Sequence, residues 1–138
     1  MGKVQILAVL TMDGCLSSEL YDKAHQDLCL DRCGLDEIRK NALYRVTPDY
    51  SISMLHEWRK DCTNIRYLAE ATPDTADYIN GLLRMHAVDE IILYTVPFIS
   101  GSGRHFFKSA LPEQHWTLSS LKSFPNGVCR IIYILDKK

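Results

Sequence analysis

The 138-residue sequence lacks any apolar run of bilayer-spanning length. Its longest, Ile6 to Leu10 and Ile131 to Leu135, have the length of strands, so no membrane partner is expected. Charge imbalance is absent too. Sixteen Lys plus Arg against seventeen Asp plus Glu give a formal net charge of −1 and a pI near 6.5, which argues against nucleic acid or an anionic membrane as partner. The five cysteines (Cys15, Cys29, Cys33, Cys62 and Cys129) are odd in number and include no Cys-x-x-Cys pair, which argues against a disulfide framework and a zinc ribbon. A reducing cytoplasm is the expected compartment. Cys29 and Cys33 can share a helix face, with buried packing the favoured reading. His25, His56, His86, His105 and His115 are scattered without ligand spacing, so no metal is expected. Met1-Gly2-Lys3 leads straight into a strand pattern, and no signal peptide is expected. Without repeat, linker or low-complexity tract, the chain reads as one domain over residues 1–138.

What is present is organised around Val88 to Phe107. Ile91 to Val96 is a continuous apolar and β-branched run, the pattern of a strand covered on both faces, and it belongs at the middle of a sheet. Pro97 ends its pairing, because proline has no N–H to give a ladder. The glycines of Ser100-Gly101-Ser102-Gly103 let the backbone turn or approach a ligand closely. The residues alone favour a turn over a phosphate loop, since the dinucleotide fingerprint needs a third glycine opening a helix.

Val4 to Leu10 reads as the first strand, closed by a Thr11-Met12-Asp13-Gly14 turn. Ser17, Ser18 or Glu19 caps a helix through Tyr21 to about Asp31, Gly34 breaks it, and Leu35 to Asn41 adds a helical turn. Ala42 to Thr47 is a short strand. Ser51 or Ser53 caps a short helix holding Met54, Leu55 and Trp58, with a polar exit at Arg59-Lys60-Asp61, and Ile65 to Ala69 is the next strand. Thr72-Pro73-Asp74 signals a helix start, running to about Met85 with Ala76, Ile79, Leu82 and Leu83 inward. Arg104 to Leu111 reads as a short helix or turn. Trp116 to Phe124 and Val128 to Leu135 form a hairpin around Pro125-Asn126-Gly127. The order predicts an α/β fold: a mostly parallel sheet between two helical layers, with an antiparallel pair at its edge.

Three pieces resemble one family. Thr11-Met12-Asp13-Gly14 is similar to the Ser-Leu-Asp-Gly turn of dihydrofolate reductase-like domains, in particular the reductase domain of bacterial riboflavin biosynthesis. Val88-Asp89-Glu90, the apolar strand, Pro97, Gly101-Ser102-Gly103-Arg104 and Phe106-Phe107 resemble its Pro, Gly-x-Gly-Arg and Leu-Phe elements. The hairpin through Arg130 to Leu135 looks like its last two strands. The likeness covers the chain up to Gly14 and from about Ile65 onward.

The resemblance implies a three-layer α/β/α fold and hydride transfer from NADPH to a pyrimidine or pterin. Asp13 would lie at the cleft between cofactor and substrate, although a turn aspartate bonding its own backbone is an equal reading. Glu70 would face substrate. Val9, Leu10, Ala71, Pro73, Asp74, Gly101 and Gly103 would line the cofactor, with the amides of Thr72 to Thr75 on its phosphates and Arg45 on the adenosine-side phosphate. The chain departs from the family where Glu-Gly-Gly becomes Glu70-Ala71-Thr72, and no glycine occurs in Asn41 to Thr47. Between Pro48 and Asn64 there is room for one short helix only. An alternative is therefore a non-catalytic member that has lost NADPH and serves small-ligand binding or homo-oligomeric assembly. Homodimers are common in this fold by resemblance, and Tyr133 or Trp116 on the hairpin could pair between subunits.

Overall fold

The computed structural model describes residues 2–17, 30–60, 65–101, 105–108 and 111–136. Six strands, β1 (Lys3–Leu10), β2 (Tyr44–Arg45), β3 (Arg66–Glu70), β4 (Glu90–Thr95), β5 (Trp116–Ser123) and β6 (Cys129–Leu135), form one sheet in the order β2-β3-β1-β4-β6-β5. The first four run parallel, while β6 is antiparallel to β4 and β5 to β6. Three described helices accompany them: α1 (Leu35–Asn41), α2 (Ile52–Lys60) and α3 (Ala76–Arg84). This is the mostly parallel sheet with a carboxyl-terminal antiparallel hairpin that the apolar runs predict.

Alternation along β1 explains the layers. Val4, Ile6, Ala8 and Leu10 face a core shared with Leu55 of α2 and with Ala76, Ile79, Leu82 and Leu83 of α3. Leu7 faces the opposite core, with Leu30, Cys33, Leu35 of α1, Leu68, Ile92 and Tyr94. Because β1 is covered on both sides it carries no polar alternation. Each fully buried Leu or Ile stabilises the fold by about 1.5–3 kcal/mol. The connection from β1 to β2 moves one way across the sheet over one face. Those from β2 to β3 and from β3 to β4 move the other way over the opposite face, as right-handed crossovers require.

Several boundaries differ from the sequence expectation. The expected helix from Tyr21 lies outside the described residues, apart from a 3-10 turn at Leu30–Cys33. Gly34, at φ 84°, separates that turn from α1. Strand β2 has only two residues, although Leu43 and Val46 extend its backbone bonding to Arg66 and Leu68. Ser51 is the cap of α2, its hydroxyl accepting from Met54 N at 3.1 Å, and the helix runs through Arg59 and Lys60. Between Ser102 and Leu111, the described residues contain no helix: His105 bridges to Cys15 in extended form. A stack of Tyr44, Tyr67, Trp58 and Tyr50 packs this end of the sheet against α2, with successive ring centroids 5.5–6.0 Å apart. None of the described helices is long and apolar enough to cross a membrane.

Candidate functional site

In an open sheet of parallel strands, ligands lodge at the carboxyl ends where neighbouring crossovers leave toward opposite faces. Here those ends belong to β1 and β3. The chain leaves β1 through a closed turn: Thr11 N donates to Cys15 O at 2.8 Å, Gly14 N to Thr11 O at 3.0 Å, and Cys15 N to Thr11 Oγ1 at 3.1 Å. Gly14 takes φ 81°. The turn is fastened to the loop after β4, since Met12 N donates to Phe98 O at 2.9 Å.

Asp13 completes that junction. Its Oδ1 accepts from the Thr11 hydroxyl and from Ser100 N at 3.1 Å, and its Oδ2 from Gly101 N at 3.0 Å. These three donors, the Thr11 hydroxyl first, hold the carboxyl far below the usual carboxylate range. It therefore stays charged and has no proton to give. Asp13 bonds within its own turn, to Thr11 and its own backbone, as the turn reading expects, and in addition it bonds the neighbouring loop. Gly101 takes φ 76° and presents its amide to Asp13, with nothing within 4 Å of where a Cβ would stand. Gly103 lies outside the described residues.

At the end of β3, Glu70 is held between two guanidinium groups. Oε1 pairs with Arg39 from α1, and Oε2 with Arg45 Nη1 from β2 at 3.1 Å. Arg45, expected at a cofactor phosphate, thus faces the carboxylate expected at substrate. Arg39 was not anticipated, because its partner is 31 positions away and its only local signal is a basic last helical turn. The Arg45 side chain is 52% exposed, so the guanidinium is open to a second partner.

The stretch after Glu70 closes on itself. Ala71 N donates to Leu7 O at 2.8 Å and extends the sheet. Thr72 N donates to Thr75 Oγ1 at 2.8 Å, Thr75 N to Thr72 O at 3.1 Å and to Thr72 Oγ1 at 3.2 Å, and Thr75 Oγ1 to Glu70 O at 2.8 Å. Thr72 thus caps the helix start as the sequence suggests: its Oγ1 accepts from Thr75 N and its carbonyl from Ala76 N at 2.9 Å, with Pro73 between them, and the regular span of α3 is Ala76–Arg84. Val9 and Leu10 are the last two residues of β1, with their carbonyls bonded within the protein. Val9 O accepts from Ser17 N and Leu10 O from Val96 N, each at 2.9 Å.

A dinucleotide phosphate needs free amides and bare backbone at a helix start. The amides of Ala71, Thr72 and Thr75 are bonded within the protein, Pro73 has none, Ala71 and Thr72 carry Cβ atoms, and Asp74 adds an exposed carboxylate. These residues do not fit a pyrophosphate. Nor do the described residues gather three or more His, Cys, Asp or Glu side chains able to hold a metal ion.

Asn80 is a structural residue that periodicity missed. It is fully buried, donating from Nδ2 to Ala76 O and Phe106 O, both at 2.8 Å, and accepting from Lys108 N at 3.0 Å. It ties α3 to the segment that follows the glycine loop. Polarity inside the inward stripe of α3 was the available signal.

No protein-family profile matches the chain, and no curated protein is recognisably similar to it in sequence. Solved structures do match. A Shewanella sp. PV-4 protein provisionally assigned to riboflavin biosynthesis aligns over 98% of this chain and 99% of its own, with TM-score 0.65 and 10% identity. Acinetobacter baumannii RibD aligns over 99% of this chain at TM-score 0.57 and 11% identity, the match spanning 58% of the RibD chain. Enterococcus faecalis dihydrofolate reductase, solved with NADP(H) and RAB-propyl, aligns over 98% of this chain and 97% of its own at TM-score 0.59 and 12% identity. The chain has the dihydrofolate reductase-like fold.

Proposed function

We propose that this chain keeps the reductase fold as a scaffold for a small ligand and has exchanged its dinucleotide site for an anion-accepting one. The ligand is a compact molecule bearing a carboxylate or phosphate, held by Arg39 and Arg45 beside Glu70. The closed Thr72 to Thr75 turn carries this reading, since it engages the Thr72 and Thr75 amides, two of those that would otherwise receive cofactor phosphates. Guanidinium groups suit the role because each can bind an oxyanion through two parallel hydrogen bonds.

A second reading, an NADPH-dependent reductase of a pyrimidine or pterin, is favoured by the near-complete overlap with a dihydrofolate reductase solved with NADP(H). In that case Glu70 faces substrate and Asp13 holds the cleft, while the cofactor supplies the hydride.

Calorimetric titration at low salt separates the two. The first reading expects no heat from NADPH up to millimolar concentration, and saturable phosphate binding that Arg45→Gln abolishes. Saturable micromolar NADPH binding overturns it and sends the chain to substrate screening.

A further inference from the structure

The face of the sheet that holds Glu70 also carries two cations at its far side. Register sets Lys122 opposite Arg130, Arg130 opposite Tyr94 and Tyr94 opposite Val9, one row across four strands. Directly opposed residues share a face. Glu70 is opposite Leu7, two residues before Val9, so it belongs to the adjoining row of the same face. Helix α1 lies over this face, with Gly34 before its first residue and Arg39 near its end.

Arg130 is built into the fold without being neutralised. It is partly buried, and its guanidinium reaches the Tyr94 hydroxyl, which donates to Cys33 O at 2.9 Å. A Cβ on Gly34 would lie 3.0 Å from Arg130 Nη1, so the glycine leaves room for the guanidinium. Arg130 Nε is nevertheless buried with no hydrogen-bond partner. Lys122 stands directly opposite, exposed, with its ammonium 5.2 Å from the Phe124 ring centre. Like charges so opposed destabilise a sheet. Among the described residues no carboxylate pairs with either cation, and Glu37 of α1, which is felt at Tyr94, is exposed and joins no ion pair. A partly buried charge in such a place calls for an anion.

Three strand spacings and one two-residue step separate Glu70 from Arg130, roughly 16 Å between Cα atoms. Between the two ends stand Val9, in the row, and Ile38, on α1, both apolar and partly buried.

We propose that the ligand held at Arg39 and Arg45 is elongated, with an apolar middle and a second acidic group received by Arg130 and Lys122. This rests on the anion-accepting reading of the Arg45 site. Calorimetric titration of the intact chain with α,ω-dicarboxylates of graded length tests it, with phosphate and the matching monocarboxylates measured on the same protein. The expected affinity passes through a maximum where the two ends span the gap, about tenfold or more above the monocarboxylate of that length. Arg130→Gln lowers the ratio of dicarboxylate to phosphate affinity roughly tenfold and Lys122→Gln several-fold, while Lys40→Gln, an exposed cation on α1, leaves that ratio unchanged. Should Arg130→Gln not fold, the exposed Lys122 position supplies the readout. Phosphate binding without a length maximum overturns this proposal alone, as does a maximum that every folded variant of the pair retains. A wild type that binds no phosphate overturns it together with the reading it rests on.

Discussion

Asp13 and Gly101 stand 88 positions apart in the chain and are joined by a 3.0 Å hydrogen bond from the glycine amide to the carboxylate. With Ser100 on the other oxygen, one side chain holds together the loops that leave the two central parallel strands. The site at the carboxyl ends is shaped by this anchor.

The anchor predicts an acid limb. Asp13 titrates below its ordinary value of 3.8 in the folded chain, so its stabilisation is complete above that value and is lost as pH falls toward the folded value. Thermal unfolding of the wild type between about pH 5 and 2 should show Tm falling more steeply than in Asp13→Asn. Parallel curves would assign the acid sensitivity to other carboxylates.

Glu70 competes with any anion for the two arginines. Glu70→Gln should therefore tighten phosphate binding several-fold at low salt, as read by calorimetry. The stability cost should be small, about 0–1 kcal/mol for each lost pair, because these side chains are partly solvated.

Asn80→Ala removes two donors and an acceptor from a fully buried site. The backbone groups of Phe106 and Lys108 would lose their partner. Denaturant unfolding should show a loss of about 2–4 kcal/mol. A loss below about 1 kcal/mol would mean that water replaces the side chain.

Gly127 turns the hairpin at φ 89°, and a Cβ there would lie 3.1 Å from Pro97 Cγ. Gly127→Ala should destabilise the chain by about 1–2 kcal/mol in the same measurement. The contact also couples the hairpin turn to the residue that ends β4.

The frame is legible in the sequence because burial on two faces leaves long apolar runs. Ile6 to Leu10 and Ile91 to Val96 could be placed at the centre without knowing their partners. Asn126-Gly127 marked the hairpin by local chemistry alone. The site was less legible. Glu70 and Arg45 were singled out for two different ligands, and their meeting depends on β2 lying beside β3. Thr72-Pro73-Asp74 has the composition of a helix start, and Thr72 does accept from the first amides there, but that Thr75 returns a bond to Thr72 N is a reciprocal closure that composition does not decide. Arg39 and Asn80 act on residues 31 and 26 positions distant, beyond the reach of periodicity.

The place of β1 also governs the order of assembly. It is an inner strand, yet the strands beside it begin only at Arg66 and Glu90. Until the ribosome has passed both, the amino-terminal strand is an apolar segment with open edges, and pairing so distant in sequence is slow. A nascent chain arrested before Glu90 would leave one of those edges open, so the segment from Glu90 onward protects β1 from aggregation.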